Sequence, residues 1–243
     1  MTNLDYRKRK VQAYSGTVAS KFLYADRKYA LLSPLMTSKE FISRYDDSLG
    51  AHGLKTLRIS LYLDVIQDLS ALTYDSNPRA ACLSNLSCLL GRQELLNALR
   101  EDFCRVDFEN LHRSGMDEIV AAQMHAQFIE EQALERGQTF DDTVERIRIA
   151  LENVLDSDLW SRIKKTRDKT ISHFQMTAAG EDPRPVTLED IGLTWGSIGE
   201  FMSMVEPIVF DVEMVVSGAT YALEDFKKSH KQIGDDFWKL SPA

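Results

Sequence analysis

The stretch LKTLRISLYLDVIQDLSAL, residues 54–72, indicates the fold class of this chain. Apolar and acidic side chains recur in it at spacings of three and four residues, at Leu57, Leu61, Asp64, Val65, Asp68 and Leu72. This spacing is the period of an α-helix that has one apolar face. We therefore expect a well-buried helix with an acidic edge.

The same period extends along the rest of the chain. Further helices are expected at about residues 5–33, 37–50, 83–91, 93–136, 141–155, 157–173 and 187–228. The first is expected to close near Pro34, the second to open with a capping box from Thr37 to Glu40, and the helix at 157–173 to be capped within Asp156 to Asp158. The helix at 93–136 is expected to be interrupted near Ser114 and Gly115 and to end at Gly137, and the last helix to be kinked at Pro207. Residues 75–78 predict a turn and residues 177–185 a loop. No segment predicts a strand. The expected fold class is all-α: an up-down helical bundle over residues 51–243, with an N-terminal helical extension over residues 1–50.

The composition predicts a soluble globular protein. Hydrophobic residues make up 44% of the 243 residues and charged residues 27%, and the formal net charge is -8. Cys82, Cys88 and Cys104 are odd in number and lack a CxxC spacing, so we expect buried thiols in a reducing compartment. We expect neither a signal peptide nor a membrane span, because Met1 to Lys10 are polar or basic and charged residues interrupt residues 201–216. The expected location is the cytoplasm.

Positive charge is concentrated in the segment RIKKTRDKTISHF, residues 162–174. It contains five cations, Arg162, Lys164, Lys165, Arg167 and Lys169, against the single anion Asp168. His173 follows near its end. Arginine stays charged and binds phosphate oxygens in pairs, and histidine transfers protons near neutral pH. In an acidic protein this combination points to RNA phosphodiester chemistry without a metal.

A straight α-helix would not bring the two central residues of this segment together. Arg167 and His173 are six residues apart, so their side chains would point about 120° apart. Either the helix loosens near Ser172 or a second subunit places its own copy of the segment opposite. Asp168 and Ser172, four residues apart, would line one face. The competing interpretation is a solvated helix face that ends in a histidine cap.

The string from Arg167 to His173 resembles the R-x(4–6)-H signature of HEPN proteins, in which a polar residue, here Asp168, directly follows the arginine. Residues 57–78, 188–205 and 234–238 are similar to helices and the tail of the abortive-infection branch of that family. The resemblance covers about residues 51–240.

This resemblance implies a helical bundle that forms a homodimer and cleaves RNA without a metal or another cofactor, as a toxin or an antiviral defence effector. His173 would then act as general base or acid, Arg167 would stabilise the phosphorane, and Asp168 would orient one of them. Ser172 and Lys169, with the cations Arg162, Lys164 and Lys165, would contact the RNA. An antitoxin or another defence-operon protein is the implied partner, and no membrane is involved.

A second interpretation comes from a different class of function. A HEPN-like bundle without catalysis would serve as a binding or dimerisation module of a defence system, in keeping with the acidic composition. Gln175 stands where one HEPN subgroup has a tyrosine that a partner enzyme modifies, so we do not expect that form of control.

Other patterns predict structure rather than chemistry. Glu109 and His112 form one Glu-x-x-His pair, and a di-iron bundle needs two. The three histidines His52, His125 and His230 are expected at the surface or in packing. The remaining expectations are a solvated helix start at Arg7 to Lys10, core positions for Trp160 and Trp195, and a tail at Phe237 and Trp238 that packs back on the body or on a second subunit.

Overall fold

A computed structural model describes residues 2–45, 48–105, 118–171, 175–177 and 184–239 of the chain. These residues form ten α-helices and one π-helical turn: α1 (Asn3–Thr37), α2 (Lys39–Ser43), α3 (Leu49–Thr73), α4 (Leu83–Leu90), α5 (Gln93–Cys104), α6 (Glu118–Asp156), α7 (Asp158–Thr166), the π-turn (Arg167–Ile171), α8 (Leu188–Ile191), α9 (Ser197–Ser217) and α10 (Leu223–Trp238). The described part of the chain has no strand, and its one isolated β-bridge joins Met176 to Pro185. The all-α class and the helical bundle are confirmed.

Helix α1 supplies one side of the core. It begins at a capping box, in which the Thr2 hydroxyl accepts a hydrogen bond from the Asp5 amide and the Asp5 carboxylate accepts one from the Thr2 amide. Its buried apolar residues are Val11, Val18, Ala19, Phe22, Ala25, Leu32 and Leu35. They face α3, α9 and α10, and the buried Ser15 hydroxyl donates a hydrogen bond to the buried carboxylate of Glu213 on α9. The division of the chain at residue 50 stays a prediction, but α1 and the later helices share this core.

The helix period predicted most of the buried positions correctly, but Leu57 of α3 is 40% exposed. In α3 the residues Val65, Leu69 and Leu72 are buried, and the acidic edge is real: the Lys28 ammonium lies 2.6 Å from a carboxylate oxygen of Asp64 and of Asp68. All four leucines predicted on α4 are buried (Leu83, Leu86, Leu89 and Leu90). Among the cysteines, only Cys82 is buried as expected. Cys88 is exposed and Cys104 is partly exposed, and all three thiols are free.

Two predicted helix ends are wrong, and another helix packs closely at each of them. α1 continues through Pro34 to Thr37. Proline cannot donate to the Ala30 carbonyl, and this carbonyl lies in close contact with Gly234 of α10. Helix α6 likewise continues through Gly137, where the absence of a side chain lets the Arg100 guanidinium lie across the helix and bind Asp141 at 2.9 Å.

Two further predictions placed helix boundaries wrongly. Ser38, not Thr37, caps α2, which ends at Ser43, so Gly50 already belongs to α3. The single helix expected over residues 187–228 is three helices. The predicted cap at Thr187 is present, but Gly192 and Gly218 adopt φ values of 77° and 65°. This left-handed conformation, which glycine adopts easily, ends α8 and α9.

Helix α10 is docked on α1 by polar contacts as well as by close packing. His230, which is 3% exposed, lies with Nδ1 2.7 Å from the Asp26 carboxylate. The Trp238 indole donates a hydrogen bond to the Leu31 carbonyl at 2.9 Å. The expected packing of the tail on the body is thus confirmed for Trp238, whereas Phe237 is 65% exposed. In the described ranges no helix combines the length and the apolar character that crossing a bilayer needs.

Replacing Gly234 by alanine tests this docking. The new Cβ atom would clash with the Ala30 carbonyl oxygen, so α10 must shift, and we expect the free energy of unfolding to fall by about 1–3 kcal/mol. Gly16→Ala is the matched control, because its Cβ meets nothing within 4 Å, and it should stabilise α1 by about 0.5–1 kcal/mol. Urea denaturation measures both. Equal effects of the two substitutions would contradict the close approach of α10 to α1.

Candidate nucleic-acid site

Helix α7 presents its basic residues to solvent because its apolar residues face the core. Ser157 caps the start of the helix, and its hydroxyl accepts a hydrogen bond from the Trp160 amide at 3.1 Å, as predicted. Leu159, Trp160, Ile163 and Thr166 are buried, and the Trp160 ring stacks on Phe201 at 5.9 Å between centroids. Lys164 and Lys165 consequently lie on the exposed side.

The α-helical hydrogen-bond pattern ends where the Arg-Asp motif begins. Arg167–Ile171 form a π-helical turn, whose hydrogen bonds join residues five apart instead of four. The predicted loosening of the helix is therefore present, directly before Ser172. Ser172, His173 and Phe174 lie outside the described residues. The backbone on either side of them is joined at the π-turn by a hydrogen bond of 3.1 Å from the Gln175 amide to the Lys169 carbonyl.

Arg167 and Asp168 form an ion pair on this turn. The Arg167 Nε atom donates a hydrogen bond to Asp168 Oδ1 at 2.9 Å, and the two side chains are 25% and 47% exposed. A carboxylate in this position fixes the orientation of the guanidinium while solvent still reaches it. The pair is therefore suited to present a directed positive charge to an anion, which is the role predicted for Arg167.

The other residues predicted to contact RNA differ in the contacts that they make within the protein. Arg162 binds the Gly192 carbonyl at 2.8 Å and Asp158 at 2.9 Å, so it ties α7 to the segment after α8. The Lys164 ammonium lies 5.7 Å from the centre of the Tyr74 ring. Within the described residues, Lys165 and Lys169 make no ion pair. The lysines thus supply the uncompensated positive charge of this face.

Helix α3 packs against the π-turn and α7 and fixes a second segment beside them, residues 192–196 between α8 and α9. The buried Tyr62 hydroxyl donates a hydrogen bond of 2.6 Å to the Thr194 carbonyl. Burial raises the pKa of Tyr62, so the hydroxyl remains a donor at physiological pH. The next residue is Trp195, whose ring lies 4.5 Å from the Arg58 guanidinium.

This aromatic–cation pair was missed by the sequence reasoning. Trp160 is buried, as expected, but the core position expected for Trp195 is wrong, because 37% of its surface is exposed. Arg58 and Trp195 are distant in sequence, and no local pattern joins them. The long amphipathic period of α3 could have identified only the side of that helix on which Arg58 lies.

The remaining polar candidates are explained by packing where the structure describes them. Arg7 and Lys8 pair with Glu94 and Asp102 of α5, so the basic N-terminal run joins two helices. His230 packs against Asp26, and His52 is exposed. Glu109 and His112 lie outside the described residues. In the part of the chain that is described, no three His, Cys, Asp or Glu residues are grouped so that they could hold a metal ion.

Comparison with known proteins identifies one family. The family model HEPN_AbiU2, described as AbiU2, matches residues 11–237. The match begins within α1, includes α3 and the basic segment, and ends within α10. No curated protein matches the chain, and no solved structure matches it.

Tyr62→Phe tests how firmly the segment at residues 192–196 is held. Loss of the hydroxyl leaves the Thr194 carbonyl without its donor, and we expect the free energy of unfolding to fall by about 1–2 kcal/mol. Tyr74→Phe is the matched control, since the structure gives the Tyr74 hydroxyl no hydrogen bond within the described residues and 37% of this residue is exposed. It should change stability by less than about 0.5 kcal/mol. Thermal denaturation compares the two variants, and equal stabilities would contradict the anchoring role of Tyr62.

Proposed function

The chain belongs to the AbiU2 family of HEPN proteins, and from this premise we propose that it is a metal-independent endoribonuclease of the toxin or abortive-infection type. The observation that carries the proposal is the π-turn at Arg167–Ile171, on a basic helix of an acidic protein. Wide turns of this kind within helices are frequent at functional sites. Here the turn coincides with the arginine and aspartate of the motif.

In the proposed reaction the protein uses the 2′-hydroxyl of RNA as the nucleophile. His173 takes the proton of this hydroxyl, the 2′-oxygen attacks the adjacent phosphorus, and the bond from phosphorus to the 5′-oxygen breaks. The leaving 5′-oxygen receives a proton from water, so the products are a 2′,3′-cyclic phosphate and a 5′-hydroxyl. DNA lacks the nucleophile and is spared.

Arg167 and Asp168 have separate roles in this reaction. The Arg167 guanidinium stabilises the negative charge that develops on the non-bridging phosphate oxygens. Asp168 holds the guanidinium in direction through the 2.9 Å hydrogen bond to Nε. Lys164, Lys165 and Lys169 attract the RNA strand, and Ser172 contacts it.

We further propose that the active form is a homodimer in the cytoplasm, with two copies of the motif at one cleft. The support is the family membership. An antitoxin or another protein of the same defence system is the proposed partner. Its role would be to keep the cleft closed until infection.

A specific observation favours a second candidate, a HEPN-like binding module without catalysis. Both arginines of the basic segment already contact carboxylates of their own chain, Arg162 with Asp158 and Arg167 with Asp168. In a segment with a purely structural role, the arginines would serve only to form these ion pairs.

Cleavage of RNA in EDTA distinguishes the two candidates. The wild type should cut a mixed RNA substrate and leave 2′,3′-cyclic phosphate ends. His173→Ala should lower the rate by about 10²–10⁴-fold and Arg167→Ala by about 10²–10³-fold. The matched controls His52→Ala and Arg92→Ala remove exposed residues of the same types and should cut like the wild type. Metal-independent cleavage that survives both motif substitutions would refute the proposal.

Dilution tests the shared cleft. If each site needs two chains, activity per chain should fall in step with the loss of dimer, because dissociation destroys the site. The mass of the particles and the rate of RNA cleavage would be measured on the same dilution series. Full activity in particles of 27.6 kDa, the mass of one chain, would refute the homodimer proposal but not the proposed reaction.

A further inference from the structure

The segment between α8 and α9 carries an exposed aromatic ring supported by a cation. Trp195 is 37% exposed. The Arg58 guanidinium lies 4.5 Å from its ring centre, and the Tyr62 ring meets it edge-on at 5.0 Å, with an interplanar angle of 79°. Two neighbours therefore orient the indole, and more than a third of its surface stays open to solvent.

This segment is fixed at three points, so the ring is held in place. Tyr62 donates a hydrogen bond to the Thr194 carbonyl at 2.6 Å, Arg162 donates one to the Gly192 carbonyl at 2.8 Å, and the Thr194 amide donates one to the Ser197 hydroxyl at 3.0 Å. A ring fixed in this way loses little conformational freedom when a ligand stacks on it.

The position of the segment links it to the motif. Arg162 precedes Arg167 by five residues, a rise of about 7.5 Å along a helix. The helix that carries the motif arginine therefore also holds the base of the segment that carries Trp195. Helix α3 contacts the π-turn as well as supplying Arg58 and Tyr62.

The charge of this pair distinguishes it from another cation–aromatic contact of the protein. Lys28 lies 4.6 Å from the centre of the exposed Tyr24 ring, but its charge is matched by Asp64 and Asp68. Arg58 has no carboxylate partner within the described residues, and its Nε atom is buried without a hydrogen-bond acceptor. Arg58 therefore keeps an unmatched positive charge beside an open ring.

We propose that Trp195 and Arg58 form a stacking subsite for an unpaired nucleobase of a single-stranded RNA. The base lies on the open part of the indole, and the Arg58 guanidinium attracts the phosphate next to that base. Aromatic rings bind bases of single strands in this way with little sequence preference. This inference rests on the proposed function: the subsite holds the RNA strand so that it is cleaved at Arg167.

Binding of RNA is the direct test, because it does not depend on cleavage. The binding of a fluorescein-labelled single-stranded RNA, about eight nucleotides long to match the site size of such surfaces, is followed by anisotropy in the His173→Ala background, with and without Trp195→Leu. We expect Trp195→Leu to raise Kd about tenfold or more, and Trp195→Phe to raise it less, because phenylalanine retains a ring. Phe237→Leu, which removes an exposed aromatic residue on α10, should leave Kd unchanged.

A second probe separates stacking from charge. A ribose-phosphate strand of the same length without bases should bind the parent protein and the Trp195→Leu variant equally, whereas Arg58→Gln should weaken the binding of both strands. Urea denaturation of each variant verifies that the fold is kept. Equal affinity of Trp195→Leu and its parent for the intact RNA overturns the subsite, and so does the absence of RNA binding by the parent.

The failure of this inference is distinguishable from failure of the proposed function. If the wild type cleaves RNA in EDTA but Trp195→Leu binds as tightly as its parent, the subsite is refuted and the ribonuclease stands. If the wild type does not cleave but Trp195→Leu weakens binding about tenfold, the subsite stands in an RNA-binding protein without catalysis.

Discussion

The packing of α3 between α1 and the motif helix is the interaction on which both the fold and the candidate site depend. One side of α3 buries Val65, Ile66 and Leu69 in the core that it shares with α1. The same helix contacts the π-turn and holds the segment at residues 192–196 through Tyr62. A shift of α3 would therefore displace the motif and the Trp195 ring together. The hydrophobic core and the presentation of the basic face are coupled through this helix.

Charge serves two purposes in this acidic protein. Between helices, cations are matched by carboxylates: Arg146 of α6 binds Asp211 of α9 at 2.7 Å, and Arg100 of α5 binds Asp141 of α6 at 2.9 Å. On α7 and the π-turn the lysines are left without carboxylate partners in the described chain, and only the arginines are paired. Matched pairs at partly exposed positions contribute little to stability, but they hold groups in direction. An unmatched cluster of lysines attracts a polyanion.

The parts of the fold that depend on local pattern were predictable, and those that depend on distant partners were not. The apolar periods of α3 and α4 and the caps at Ser157 and Thr187 follow from neighbouring residues. Pro34 and Gly137 are typical of helix ends, but α1 and α6 continue through them. Gly234 of α10 packs against the turn before Pro34, and Arg100 of α5 packs against Gly137. The π-turn has no signal of its own in the letters RDKTI; the requirement that Arg167 and His173 converge was the one reason to expect a looser helix. The stacking of Arg58 on Trp195 joins two segments far apart in sequence.

The proposed chemistry requires Arg167 and His173 to act on the same phosphate, and ¹⁵N-histidine NMR can show whether they do. The protein has five histidines, so each imidazole can be followed while a 2′-deoxy-substituted dinucleotide, which cannot be cleaved, is added. If both residues act on one phosphate, the His173 resonances should move on binding while those of the buried His230 do not, and Arg167→Ala should abolish the response of His173. An unchanged His173 response in Arg167→Ala, or no response in the wild type at saturating ligand, would contradict it.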